Sequence, residues 1–169
     1  MPTFVLVLAD APQVLVALEQ SAFAGAIRQS VWAYPLANVG HIVALTLFAG
    51  AVAVLDLRLL GAFAKTPPAA VVRPTRIAAM LGLALMALTG FMLFAAEASH
   101  VAMNPVFQLK AGLIALAILN ALVIAGPVVS GLGAAGPDAP VPARAKVAAA
   151  LSLALWIGVA ACGRLIAYF

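Results

Sequence analysis

The sequence predicts an all-α fold: an integral membrane four-helix bundle preceded by an N-terminal interfacial amphipathic helix. Three observations carry that expectation. Of 169 residues, 66% are apolar and only 8% charged, and mean hydropathy is +1.19. Soluble domains hold about 45–50% apolar and about 25% charged residues, so no water-exposed surface could be built from this composition. Four stretches reach the roughly 20 apolar residues that a bilayer crossing needs. Gly and Pro punctuate the connections between them, and none is long enough to hold a soluble domain.

Taken in order, residues 1–31 form an N-terminal segment and residues 32–169 the bundle. The run Met1-Pro2-Thr3-Phe4-Val5-Leu6-Val7-Leu8-Ala9-Asp10 has no basic start and closes on an acid, so no cleaved signal peptide is expected. Residues 11–29 read as one helix, with Pro12 at its start and Leu15, Leu18, Ala22 and Ile27 along one side. Gln13, Glu19, Gln20 and Arg28 interrupt the remainder, as suits a helix lying on the membrane. A buried fifth helix is the alternative. The first span covers about residues 32–55, with Pro35 in its opening turn. The second covers about 77–96, after the breaker-rich stretch Lys65-Thr66-Pro67-Pro68 and Arg73-Pro74-Thr75-Arg76. The third covers about 106–124, entered through Asn104-Pro105 and closed by Gly126-Pro127. The fourth covers about 147–168, after Gly136-Pro137-Asp138-Ala139-Pro140.

The charge pattern reports orientation. The nine cations are spread singly, so the net charge of +4 points to a lipid bilayer and to no nucleic acid. Six of them (Arg58, Lys65, Arg73, Arg76, Arg144, Lys146) flank the loops after spans one and three. Three (Arg28, Lys110, Arg164) lie on the other side. Basic loops stay in the cytoplasm, which predicts a bacterial inner membrane protein with both termini and the interfacial helix periplasmic.

Both histidines of the chain, His41 and His100, sit on apolar segments of that periplasmic half. An ionisable side chain in a bilayer is a functional hypothesis by default, and imidazole is a frequent ligand of haem iron and of metals. One b-type haem held by His41 and His100 is the sharpest reading, with Gly40 and Gly90 admitting the macrocycle and Arg28 and Lys110 pairing its propionates. Depth counts against the pair. His41 is about 25 Å from Arg58 and His100 about 36 Å from Arg76 along straight helices, so their backbones differ by roughly 10 Å. His41 lies inside its span and is expected to matter more than His100, which can reach water.

Other polar residues have plainer readings. Asp56 is expected to pair with Arg76 or Arg73 across the hairpin, and Asn120 to hydrogen-bond a neighbouring helix. Glu97 reads as a solvated end-of-helix acid. One cysteine, Cys162, excludes an internal disulfide and c-type haem attachment. No catalytic motif is present, so no enzyme activity is assigned.

The run Leu18-Glu19, Ile27-Arg28-Gln29-Ser30-Val31-Trp32-Ala33-Tyr34-Pro35 and Asn38-Val39-Gly40-His41 continues with Asp56-Leu57-Arg58-Leu59-Leu60-Gly61, Leu88-Thr89-Gly90 and Asn104-Pro105-Val106-Phe107-Gln108-Leu109-Lys110. Together these motifs resemble the uncharacterised DUF6644-type family of small proteobacterial inner-membrane proteins. That resemblance implies a four-span fold and carries no function. More loosely, four spans with intramembrane histidines are similar to cytochrome b561 and CopD-like bundles, which hold more histidines than this chain. Two functions stay open. One is a haem b carrier passing electrons between the periplasm and membrane quinone. The other is a cofactor-free accessory subunit of a larger respiratory or photosynthetic complex, or a homo-oligomer, packing through small-residue faces. Copper handling by histidine and methionine is a distant third.

Overall fold

A computed structural model describes residues 11–134 and 140–168. The N-terminal run at residues 1–10 and most of the loop opened by Gly136-Pro137 lie outside the described residues. Four helices are long and apolar enough to cross a membrane, and the described residues contain no strand. The fold is an all-α membrane four-helix bundle.

The N-terminal helix is two helices, α1 (Gln13–Glu19) and α2 (Ala22–Gln29). They break at Ser21, whose hydroxyl caps α2 by accepting from the Ala24 N–H at 3.2 Å. With 7 and 8 residues, neither can span a bilayer, which removes the fifth crossing. Ile27 and Ala24 bury, and the pair packs on the end of the second span.

The first span, α3 (Ala33–Leu60), starts where the Ser30 hydroxyl accepts from the Trp32 and Ala33 N–H groups. It ends at Gly61, whose φ of 116° gives the left-handed cap that L side chains avoid. The second span, α4 (Pro68–Ala96), begins nine residues before the predicted start at Ile77 and runs straight through Pro74. Arg73-Pro74 therefore lies inside a helix. Proline removes there the N–H that would bond the Ala70 carbonyl, and the Thr75 hydroxyl donates to the Val71 carbonyl at 2.6 Å.

After Ala96 the chain breaks at Glu97 and forms the short α5 (Ala98–Met103). The third span opens at α6 (Pro105–Leu119), where Asn104 caps by accepting from Val106 and Phe107 at 2.9 and 3.2 Å. The stretch long and apolar enough to span ends at Ala125, beside Gly126-Pro127, but the helix does not stop there. One π-helical turn, Asn120–Ala125, widens the helix, and α7 (Gly126–Ala134) continues it. Gly126 is required at that joint because a β-carbon would meet the Ala121 carbonyl oxygen at 2.9 Å. The last span, α8 (Ala143–Leu165), starts and ends a few residues earlier than predicted.

The longest seam joins α3 to α4, and α8 packs against α3, α6 and the π turn. Gly82 lets α4 lie on the Phe48 backbone: a β-carbon there would stand 2.9 Å from it. Phe48 in turn meets the Trp156 ring edge-on at 4.5 Å. At the Leu60 end, Leu59, Val72, Val129, Leu132, Ala145 and Ala149 form a buried apolar cluster.

Candidate functional site

Polar side chains are built into the bundle at two levels. Near the Ala33 end, His41 projects from the third turn of α3 into the seam with α4. Its Nδ1 lies 2.9 Å from the Thr89 hydroxyl oxygen. That hydroxyl has one hydrogen; when it gives it to the Leu85 carbonyl at 2.7 Å, the imidazole Nδ1–H donates to the hydroxyl oxygen and Nε2 keeps its lone pair. The ring edge fills the place of a missing side chain: a β-carbon on Gly90 would stand 3.1 Å from His41 Cε1. The second glycine is filled likewise, with the Thr89 methyl 3.4 Å from where a Gly40 β-carbon would be. Both gaps read as room for a macrocycle are occupied by the chain itself.

His100 is exposed on α5. Gly90 marks the depth of His41 on α4, and Ala96 lies six residues, about 9 Å, beyond it. His100 follows the break at Glu97, on the short α5 rather than on α4. Lys110 is half-buried on α6, its ammonium over Gly163 of α8 at 3.4 Å from the missing β-carbon. Arg28 is taken up elsewhere: its guanidinium donates to the Ala96 carbonyl at 2.8 Å.

That last contact belongs to a clasp that sequence reasoning missed. Glu19, expected on a polar face, is only 8% exposed. Its carboxylate accepts from the Ser99 N–H at 2.8 Å and from the Ser99 hydroxyl. An anion therefore caps the start of α5 while the Arg28 cation binds the last carbonyl of α4. Both charges match the helix ends that they meet. One signal was legible: Glu19 falls four and eight residues after Leu15 and Ala11, on the apolar face of α1.

At the Leu60 end the expected Asp56 clasp is absent. Arg76 donates to the Ser130 hydroxyl at 2.9 Å, and Arg73 is exposed. Asp56 faces inward because it shares the buried side of α3 with Val52 and Leu59, whereas Arg73 and Arg76 lie on the outer side of α4. Ser152 of α8 is its polar neighbour, and its Oδ2 is buried without a hydrogen-bond partner. Arg58 is also buried and donates to the Thr66 carbonyl at 3.0 Å. Asn120 makes the interhelical bond expected of it, its amide donating to the Ala148 carbonyl at 3.0 Å, while its Oδ1 is left unpaired. Among the described residues, no three His, Cys, Asp or Glu side chains converge as a metal site.

Residues 18–169 match the sequence profile of a family of unknown function (DUF6644). Neither a curated protein nor a solved structure matches the chain.

Proposed function

The chain belongs to the DUF6644 family, a family of unknown function, and from that premise we propose that it is a cofactor-free accessory subunit of a larger membrane complex. One observation carries the reading. The only histidine inside a span is spent on packing: its ring fills the Gly90 gap and its Nδ1 is bonded to Thr89. A bundle whose small-residue seam is closed by its own side chains has the build of a rigid packing element. The basic asymmetry supports a bacterial inner membrane, with the loop after α3 in the cytoplasm and both termini periplasmic.

The experiment is purification from the native host in mild detergent, read by native mass spectrometry and by absorbance after dithionite reduction. A colourless protein travelling in a hetero-complex is expected. A b-type band, or a protein found only alone, overturns the reading. Orientation is tested separately: Cys at Ala64, exposed in the first loop, should resist an impermeant thiol reagent in intact cells.

A haem-binding reading keeps one supporting observation. With Nδ1–H donated to Thr89, the free Nε2 of His41 is the nitrogen that a ligating imidazole presents, oriented by its own second-sphere bond. On that reading His41 is the sole axial histidine, and Lys110, unlike Arg28, has its cation free of a backbone carbonyl to meet a propionate. The same dithionite spectrum decides it.

A further inference from the structure

The polar residues near the Leu60 end are placed unlike those near the Ala33 end. Asp56 and Asn120 are each only 4% exposed, and each leaves a buried oxygen without a partner: Oδ2 of Asp56 and Oδ1 of Asn120. Both meet the same face of α8. Asn120 binds the Ala148 carbonyl, and Asp56 neighbours Ser152, one turn along, or about 6 Å of rise. Buried acceptors are rarely left open, because each forfeits its water without recompense. A carboxylate in a bilayer is costlier still.

Among the described residues, no cationic side chain neutralises Asp56. Arg58, on its own helix, donates to Thr66. Arg76, on α4, donates to Ser130. Arg73 on α4, and Arg144 and Lys146 at the start of α8, are exposed. The third span offers Asn120 at this level, and Asn120 opens the π turn. Such single π turns recur at functional sites because they displace one side chain out of helical register.

We propose that Asp56, Asn120 and Ser152 form a binding site for a monovalent metal cation of sodium size within the bundle. The donors are one carboxylate, one carboxamide oxygen and one hydroxyl, all hard oxygens. Such a set suits an alkali cation and lacks the softer ligands that transition metals select. One negative charge cancels one positive charge, so the ion enters the apolar interior as a neutral unit. Divalent calcium sites recruit more carboxylates than the single one here. Asn120 is held by its amide nitrogen on Ala148, which leaves its oxygen as the ligating atom. The site is independent of the subunit role, and a cation-free subunit remains a subunit.

The test is thermal unfolding of the purified full chain in sodium chloride against choline chloride at equal ionic strength. The wild-type midpoint is expected to rise with sodium, as ligand binding to the folded state requires. Asp56→Asn should abolish that sodium dependence. Ser152→Ala, which leaves the Asn120–Ala148 bond in place, should raise the half-saturating sodium concentration by about tenfold. A wild-type midpoint equal in the two salts overturns the proposal, as does a sodium response that survives Asp56→Asn. A carbodiimide that modifies buried carboxyl groups gives a second readout by peptide mass. Sodium should slow its addition to Asp56, whereas equal labelling in sodium and choline would mean that a proton is the occupant and would overturn the metal site.

Discussion

The two ends of the bundle treat buried polar groups in opposite ways. Near the Ala33 end three polar side chains each close a pair across elements: His41 on Thr89, Glu19 on Ser99, Arg28 on the Ala96 carbonyl. Near the Leu60 end the buried groups are half used, with Asp56, Arg58 and Asn120 each retaining an unpaired atom. A satisfied group fixes geometry, and an unsatisfied one stores a preference for something that could satisfy it. The first end is built to hold, the second to receive.

The largest expected effect tests the holding end. Glu19→Ala removes the acceptor of two Ser99 bonds and strands a buried hydroxyl and N–H, a loss of about 3 kcal/mol for charge-assisted bonds. Unfolding in detergent should show it, together with faster amide exchange over residues 97–101. Unchanged exchange there would mean that α1 does not clasp the break. Between the ends, Gly82→Ala drives a β-carbon into the Phe48 backbone and should cost about 2 kcal/mol. Gly50→Ala, which meets nothing within 4 Å, is its control and should cost nothing or stabilise slightly.

At the receiving end the sign should reverse. In sodium-free choline buffer Asp56→Leu should leave stability unchanged or raise it by about 1 kcal/mol, because it removes an uncompensated buried carboxylate. A large loss would show that Asp56 is already satisfied and would erase the contrast between the ends. The smallest effect concerns His41. A double-mutant cycle of His41→Ala and Thr89→Ala should give a coupling near 0.6 kcal/mol, and at most about 1.7, as for hydrogen bonds between membrane helices. Zero coupling would mean that the ring only fills the Gly90 gap.

Much of the architecture was legible because composition leaves few options. Four apolar runs in a bilayer must become helices, since only intrahelical bonding satisfies their backbones there. Asn104-Pro105 marked a helix start for a reason local to those residues, a side-chain acceptor beside a residue that needs no donor. The errors fell on the same two residue types used as boundaries. Pro74 and Gly126-Pro127 sit inside helices that continue past them, the second by way of one π turn. Local rules for proline describe an isolated helix, and a membrane gives the chain a strong reason to keep spiralling through one.

The sequence by itself determined the solvent of this protein, the number of its spans and the residues too polar to be idle, because each follows from transfer free energies that need no neighbour. Only the tertiary structure decided what those residues meet. Whether Asp56 faces Arg76 or the bundle axis depends on the rotation of α3 against α4 and α8. That rotation is set by where Gly82 and Gly90 allow close approach, and by Phe48 against Trp156. A helix carries its side chains at fixed angles about its axis, so one seam settles every partner at once, and no single residue's chemistry announces the outcome.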